Sequence, residues 1–403
     1  NAGNSIASGG NYNVVVGDNA GTAITTGDEN IAVGYNALIT EDTGSRSVAI
    51  GSSALKLQNV NGNIYNTAVG YNAGTAVTTG YQNTFIGGLA GTATTTALNN
   101  TAVGYSSLTA NTTGANNTGV GTSALAANTT GDDNASFGHG SLLVNTTGFQ
   151  NTAVGRAAMD SNTTGSLNAS LGYTSLQKNT TGTNNTGLGH SALRANTTAS
   201  NNTAVGYNSL TANTTGANNV CVGYEAGDAI TTGGGNIILG KGADTDATTN
   251  FATVIGYNLT GAANYTTLGT GADDIRAQHG TATWATVSDQ RYKKDIVDST
   301  TGLSFINALQ PRTFKYKTLG ELPETFSAYE EGSTEVFKNS DTNHGFIAQE
   351  IKAAIDADSS IADGFKLWDD REDGSQEVAE AALIPILVKA IQELTARITT
   401  LEG

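Results

Sequence analysis

A glycine that closes a short apolar run recurs every 17 residues through most of this chain of 403 residues. The regular series is Gly17, Gly34, Gly51, Gly70, Gly87, Gly104, Gly121, Gly138, Gly155, Gly172, Gly189, Gly206, Gly223 and Gly240. One step is 19 residues long, where residues 59–63 hold a two-residue insertion, and a last apolar run ends at Gly256 after a step of 16. A short fixed period predicts a solenoid with one coil per repeat, since a single coil has too few apolar side chains to fold alone.

Each repeat follows the consensus Asn-Thr-Ala-Val-Gly-Tyr-x-Ala-Leu-x-x-Asn-Thr-Thr-Gly-x-x, with residues 100–116 and 202–218 as its best copies. β-branched residues bounded by Gly and Asn predict short strands joined by tight turns. The third position, mostly Ala, Gly or Ser, predicts the close approach of another backbone on that face of the strand. The fourth position is always large and apolar, so we predict that it forms the core of the coil, as at Val33, Ile50, Val69, Ile86, Phe137, Leu171 and Val222.

The ninth and twelfth positions of the repeat vary together. In most coils where the ninth is Leu, as at Leu108, the twelfth is Asn, and where the ninth is Gly, as at Gly74, the twelfth is apolar, as at Val77. Among the coils with Gly at the ninth position, Gly91 with Thr94 is the exception. One buried space is therefore expected to be filled from either of two sites. Fourteen coils at the strand spacing of about 4.8 Å predict a rod about 65 Å long.

Charge and composition exclude several classes of protein. Charged residues make up 13% of the chain and aromatic residues 6%, and the net charge is -16. No basic patch exists that would neutralise a nucleic-acid backbone, and no apolar run approaches the ~18 residues of a membrane span. The single cysteine, Cys221, excludes an intrachain disulfide framework. Without paired His or Cys at ligand spacings we predict no metal site and no cofactor, and because the chain opens on Asn1 without Met or a signal peptide, we expect a fragment or a processed form.

The end of the chain has a different period. The residues Ile384, Leu387, Ile391, Leu394, Ile398 and Leu401 are spaced 3, 4, 3, 4 and 3 apart. This is an a/d seam of about two and a half heptads, which predicts a coiled-coil helix over residues 381–403. Ile at a with Leu at d would by itself favour a dimer.

Three segments near the start of the last 116 residues carry a family resemblance. They are Ser-Asp-Gln-Arg-Tyr-Lys-Lys-Asp-Ile at 288–296, Leu-Gln-Pro-Arg-Thr-Phe-Lys-Tyr at 309–316 and His-Gly-Phe-Ile-Ala-Gln-Glu at 344–350. Together they resemble the C-terminal intramolecular chaperone domain of phage endosialidases and tail fibres. The resemblance implies a domain that registers three chains and then cuts itself off, with Ser288 as nucleophile, Lys293 as base and Ser288-Asp289 as the junction.

A lysine can take the proton of a serine hydroxyl only when the lysine is neutral, which requires burial or a nearby cation. Arg291 and Lys294 could supply the cation, and His344 and Glu350 could support the site. Five residues is the wrong spacing for one face of a helix or strand, so a turn or a neighbouring subunit must join Ser288 to Lys293.

Alternatives stay open at this site. The Ser-Lys pair could be an unrelated surface pair, and His344 a structural core residue. The scissile bond is also open. Attack by the Ser288 hydroxyl on the Val287 carbonyl passes through a five-membered ring, whereas cleavage at the junction with Asp289 would use a hydroxyl from another chain.

The Asn-x-Val-Gly pattern of residues 13–256 resembles the YadA-like head of trimeric autotransporter adhesins. That resemblance implies a left-handed parallel β-roll that trimerises along one face.

Two further rows of side chains invite a functional interpretation. The sixth position carries Tyr35, Tyr71, Tyr105, Tyr173, Tyr207 and Tyr224, a ladder that could stack sugar rings or stack coil on coil. The Asn-Thr-Thr triplets, as at Asn111, are formal glycosylation sequons, but their place at one turn of every coil is explained first by side-chain-to-backbone bonding. Cys221 stands at the small third position and is interpreted as a small apolar residue.

These patterns predict a mainly β fold in three parts. Residues 1–256 form a trimeric parallel β-solenoid, 257–287 an irregular collar, and 288–403 an α+β chaperone and autoprotease domain. The expected function is a receptor-binding homotrimeric phage tail fibre or tailspike, located in the virion tail, that cleaves only its own chain. Its partners would be a host-surface glycan or protein and other tail proteins. The alternatives are a bacterial surface adhesin and a passive spacer without ligand.

Overall fold

Three-residue strands, one in each coil, stack in parallel to build the first part of the chain. The computed structural model describes residues 2–7, 9–271, 273–280, 285–286, 290, 293–361, 365–371 and 373–402, and it divides the chain into a first unit, residues 1–287, and a second unit, residues 288–403. Equivalent residues pair from coil to coil, so Thr101 lies beside Thr118 and Val103 beside Val120. The mainly β fold with a parallel β-solenoid is confirmed.

The strands of the first unit are numbered in chain order. They are β1 (Val14–Val16), β2 (Ile31–Val33), β3 (Gly44–Ser45), β4 (Val48–Ile50), β5 (Gly62–Asn63), β6 (Thr67–Val69), β7 (Thr84–Ile86), β8 (Thr101–Val103), β9 (Thr118–Val120), β10 (Ala135–Phe137), β11 (Thr152–Val154), β12 (Ala169–Leu171), β13 (Thr186–Leu188), β14 (Thr203–Val205), β15 (Val220–Val222), β16 (Ile237–Leu239), β17 (Asp244–Thr245), β18 (Thr253–Tyr257), β19 (Thr260–Gly261), β20 (Tyr265–Thr270), β21 (Asp273–Gln278) and β22 (Ala285–Thr286).

The glycine after each strand is required by backbone geometry. Gly104 has φ +132°, and a Cβ built on it would lie 2.6 Å from the carbonyl oxygen of Gly121 in the next coil. Only glycine tolerates both this dihedral and this approach. The 17-residue glycine series therefore marks the position in each coil at which the backbone turns in close contact with the next coil.

The strand side chains point the opposite way from the prediction. The small third residue faces the interior, and Ala102 and Ala204 are fully buried there. The large fourth residue faces outward, so Ile86, Phe137 and Leu171 are more than two fifths exposed. The prediction that the fourth position forms the core was wrong because the opposite wall of the coil already fills the interior, which leaves room only for a small side chain.

That opposite wall supplies leucine in an unusual conformation. Leu108 and Leu125, at the ninth position, have φ of 49° and 53° and are fully buried. A left-handed backbone at a leucine costs on the order of 1–2 kcal/mol, which burial of the side chain offsets. The same dihedral explains why glycine is the common substitute at this position.

The prediction that one buried space is filled from either the ninth or the twelfth position is confirmed. In the structure, a side chain at the third position can also fill this space. Val77 fills the core beside Gly74. The exceptional pair Gly91 and Thr94 is explained by Phe85, a third-position residue that is fully buried. A Cβ on Gly91 would collide with the Phe85 ring, and one on Gly74 would lie 2.7 Å from its Cδ2 atom.

Columns of buried asparagine close the interior of the solenoid. At the first position, the Asn117 backbone N–H donates to Asn100 Oδ1 (2.9 Å), and Asn117 Nδ2 donates to the Gly131 carbonyl (2.8 Å). At the twelfth position, Asn145 Nδ2 donates to Asn128 Oδ1 (2.8 Å). Since buried polar groups must be paired, each column links coil to coil along the rod.

The segment predicted as an irregular collar contains strands. β18 pairs in parallel with β20, which then pairs with β21 in an antiparallel arrangement, and β21 pairs with β22. Strand pairing therefore continues beyond Gly256, and the parallel stack gives way to an antiparallel end.

The second unit is a small α+β arrangement with its own core. Its strands are β23 (Arg312–Phe314), β24 (Asn343–Gly345), β25 (Trp368–Asp370) and β26 (Gln376–Val378), and its helices are α1 (Leu303–Ala308), α2 (Ala348–Ala357) and α3 (Ile384–Glu402), with 3₁₀ turns at Leu319–Glu321 and Glu380–Leu383. The core cluster is Phe305, Ile351, Leu367, Leu383 and Ile386. The terminal helix predicted from the heptads is present.

Candidate functional site

Half of the predicted cleavage site lies in the described part of the chain. Ser288, Asp289 and Arg291 fall outside the described residues. Lys293 and Lys294 are described, and both are exposed. The Lys293 backbone N–H donates to the Gln290 carbonyl (3.0 Å).

The other two motifs of the family resemblance form one framework. β23, from the second motif, pairs with β24, which holds His344 opposite Thr313. His344 is exposed. The interpretation of His344 as a core residue therefore finds no support. Among the described residues, the structure shows no group that His344 orients.

Glu350 belongs to an ion pair that ties α2 to β23. Arg312 Nε donates to Glu350 Oε2 (3.0 Å), and Arg312 Nη2 donates to Oε1 (2.6 Å), a two-pronged contact. The Arg312 guanidinium lowers the pKa of the Glu350 carboxyl below its usual value. Sequence reasoning singled out Glu350 but missed Arg312, although both lie in the quoted motifs.

The terminal helix α3 presents two different faces. Ile386 and Ala390 are nearly fully buried against the second unit, and Glu393 Oε2 accepts the Leu303 backbone N–H (2.9 Å). The a/d residues lie on the exposed side, where Ile391 is 62% and Ile398 52% exposed. The helix can therefore stay docked on its own unit while its seam meets other helices.

The aromatic row at the sixth position differs between the two halves of the solenoid. Tyr173, His190, Tyr207 and Tyr224 stack with successive ring centroids 5.1, 5.1 and 5.2 Å apart. Lys241 Nζ lies 5.6 Å from the centroid of the Tyr224 ring. In this half the rings stack coil on coil, so neighbouring rings occupy the faces that a sugar would need.

In the N-terminal half, the tyrosines alternate with small residues. Tyr35, Tyr71 and Tyr105 are 54%, 61% and 59% exposed. The coils between them carry Ser52 and Gly88 at the sixth position. The tyrosines therefore stand about two strand spacings, roughly 10 Å, apart, which leaves space beside each ring. Of the predicted ladder, these three rings remain available to a ligand.

The formal glycosylation sequons are buried inside the fold. Asn111 is fully buried, and its Nδ2 donates to the Gly114 carbonyl three residues on (2.9 Å). The interpretation as turn bonding is confirmed. Cys221 is likewise fully buried, as a small residue at the third position, and burial raises the pKa of its thiol far above the ordinary value.

Two acidic side chains meet near the end of the parallel stack. Asp244 Oδ2 accepts the Ala229 backbone N–H (2.9 Å), and Asp244 Oδ1 accepts the Thr245 backbone N–H (2.7 Å). Burial, together with the hydrogen-bonded neighbour Asp228, raises the pKa of Asp244 to about 7. Sequence reasoning missed this pair because the two residues lie 16 positions apart.

The described residues contain neither a cluster of metal ligands nor a helix suited to crossing a membrane. No three His, Cys, Asp or Glu side chains among them converge so as to hold a metal ion. No helix within these ranges is long and apolar enough to cross a membrane.

The comparison with protein families agrees with the position of the motifs. The family model described as chaperone of endosialidase matches residues 288–358. The match begins at Ser288, the first residue of the second unit. No curated protein and no solved structure matches the chain significantly.

Proposed function

We propose that this protein is a homotrimeric fibre of the phage tail fibre or tailspike class, whose second unit directs trimerisation and folding and then cleaves the chain beside Ser288. The observation that carries the proposal is the match of residues 288–358 to the chaperone of endosialidase family, directly after a β-solenoid. The exposed a/d seam of α3 supports assembly. In a single chain this apolar row is exposed to water, and it becomes buried when the helices of several copies pack together.

The proposed cleavage uses the chain as its only substrate. The Ser288 hydroxyl attacks a peptide carbonyl while its proton passes to the neutral amine of Lys293. The peptide nitrogen leaves with a proton, and water then hydrolyses the serine ester. Lys293 is exposed in the single chain, so its burial by assembly would link cleavage to correct trimer formation.

The test compares the wild type with Ser288→Ala and Lys293→Ala chains by intact mass and by native mass spectrometry. We expect two fragments only from the wild type, and three copies of the full chain from both variants. Lys317→Ala, at an exposed lysine outside the three motifs, is the matched control and should still cleave. A wild type that stays full length removes the protease part of the proposal, and a wild type that stays monomeric removes the fibre.

Receptor binding is the second part of the proposal, and it rests on the spaced rings of Tyr35, Tyr71 and Tyr105. Exposed aromatic faces are suited to the apolar faces of sugar rings. Replacing all three tyrosines by Ala should remove binding on a glycan array, whereas replacing Tyr207 and Tyr224, whose ring faces are stacked, should retain it. Failure of the wild type to bind any glycan or host-surface protein favours a passive spacer.

A further inference from the structure

The sixth-position row in the N-terminal half of the solenoid is held in register, one residue per coil. The Ser53 backbone N–H donates to the Tyr35 carbonyl (2.8 Å), and the Asn72 backbone N–H donates to the Ser52 carbonyl (3.0 Å). The equivalent bond recurs in the next two coils. Each sixth-position residue therefore lies one strand spacing from the next along the rod.

A small side chain leaves one position of this row empty between each pair of tyrosines. We call the two spaces ring slots and define them as the Ser52 slot, between Tyr35 and Tyr71, and the Gly88 slot, between Tyr71 and Tyr105. In the C-terminal half, where no position is empty, neighbouring ring centroids lie 5.1 to 5.2 Å apart. The tyrosines that border a slot stand about 10 Å apart, so each slot has room for one more ring.

The Gly88 slot is open to a further group. A Cβ built on Gly88 would lie 3.6 Å from Tyr105 Cδ2, which is an ordinary van der Waals contact. Neither crowding nor a left-handed backbone therefore requires glycine here, in contrast to Gly104 with its φ of +132°. The tyrosines on both sides of the slot, Tyr71 and Tyr105, are more than half exposed.

The side chains beside the slots are mostly polar and carry no charge. From Tyr35 to Ser123, neither the sixth nor the seventh position holds an acidic or a basic residue. The seventh position carries Asn36, Ser53, Asn72, Leu89, Ser106 and Ser123. All of these except Leu89 can bond to a hydroxyl group. In the C-terminal half, by contrast, the same row includes Arg156 and Lys241. A ligand of the slots should therefore be a neutral ring with hydroxyl groups at its edge.

We propose that each ring slot takes one pyranose ring of a neutral glycan, so that sugar and tyrosine rings alternate along the rod. This inference rests on the proposed receptor binding and adds the class of glycan and its position in the row. The faces of a sugar ring present C–H groups to the tyrosines, and its hydroxyl groups reach the seventh-position side chains. An aromatic side chain of a partner protein would fill the same space but would leave those polar groups unpaired. Two slots in series require a glycan that presents rings at intervals of about 10 Å.

The test fills the slots with rings of the protein itself. Ser52→Tyr with Gly88→Tyr keeps all three tyrosines and completes the stack, as Tyr207 does in its own coil. The control, Thr79→Tyr with Thr96→Tyr, adds the same two side chains at exposed turn positions of nearby coils. Binding is measured on an array of neutral hexose polysaccharides together with sialylated and uronic-acid glycans.

We expect the wild type and the control variant to bind a neutral polysaccharide equally well. The slot-filled variant should bind it more weakly by on the order of tenfold or more, although it exposes more aromatic rings than the wild type. Far-UV circular dichroism verifies that the coils are intact. Should the double variant fail to fold, Gly88→Tyr alone fills one slot and should still weaken binding.

The outcomes separate this inference from the function on which it rests. A wild type that binds no glycan contradicts glycan binding by the tyrosine row and the ring slots together. If the wild type binds and replacement of Tyr35, Tyr71 and Tyr105 by Ala removes binding, but the slot-filled variant still binds, the ring slots alone are overturned. Binding to acidic glycans only, or an equal loss in the control variant, also overturns them. The same holds if a host-surface protein, and no glycan, is the ligand that filling the slots displaces.

Discussion

The solenoid and the second unit bury their apolar side chains in opposite ways. In the solenoid, each coil contributes one small residue and one residue such as Leu108 to a thin interior that buried asparagines close. In the second unit, large side chains such as Phe305 and Ile351 gather in one cluster. Both units nevertheless leave a row of large apolar side chains outside. The difference teaches that a core can be a thin column or a compact cluster, and that neither kind uses all the large apolar side chains of its unit within one chain.

The largest expected effect concerns the seam of α3. Ile391→Asp with Ile398→Asp would place two charges per helix in the seam, and burying unpaired charge is costly. We expect the trimer to weaken by on the order of 10³-fold or more, since each 1.4 kcal/mol is a factor of ten. Sedimentation as a function of concentration measures this. Gln392→Asp with Thr399→Asp adds the same charge beside the seam and should leave the trimer intact.

If both double variants remain equally trimeric, the seam of α3 is not needed for assembly. Assembly would then depend on surfaces of the two units other than this seam.

A smaller loss is expected when the polar interior of the solenoid is interrupted. Asn145 is fully buried and donates both to Asn128 Oδ1 (2.8 Å) and to the Gly148 carbonyl (2.9 Å). Asn145→Ala leaves Asn128 Oδ1 buried without this donor and removes the acceptor of Asn162 Nδ2, whereas the Gly148 carbonyl keeps the Asn134 Nδ2 donor. The free energy of unfolding should therefore fall by about 3 kcal/mol. Denaturant unfolding measures it, with the exposed Thr147→Ala of the same turn as control. Equal stability of the two variants would mean that the asparagine column adds little to the free energy of unfolding.

The smallest expected effect is a dependence of solenoid stability on pH. Burial, with a contribution from Asp228, raises the pKa of Asp244 to about 7, so the folded chain keeps a proton that the unfolded chain has released. The stabilisation is complete below about pH 4 and is lost as the pH rises toward about 7. The melting temperature should therefore fall across this range.

Asp228→Asn should reduce that fall by about 2 °C, because it removes the neighbouring acid and leaves burial as the main cause. Thermal unfolding followed at pH 4, 5.5, 7 and 8 measures the difference. Asp246→Asn, an exposed acid close by in sequence, should leave the fall unchanged. An identical fall in both variants would show that Asp228 does not contribute to the pKa of Asp244.

Much of the architecture could be predicted because it depends on local rules. The period of Gly104 and its equivalents marks the turns, since no other residue tolerates that backbone, and the heptads mark α3. The candidate site was predictable only in part. The segment with Lys293 follows from its motif, whereas the Asp228–Asp244 pair and the partner of Glu350 depend on which distant residues the fold brings together.

The sequence by itself determined the coil length, the strand and turn positions and the exchange of core volume between the ninth and twelfth positions. Only the tertiary structure decided which side of the strand faces inward. A three-residue strand shows its middle residue on one side and its outer residues on the other, and this alternation is the same whichever side is buried. The choice is made by space, because Leu108 and its equivalents fill the interior from the opposite wall, and Phe85 fits only where glycines stand around it.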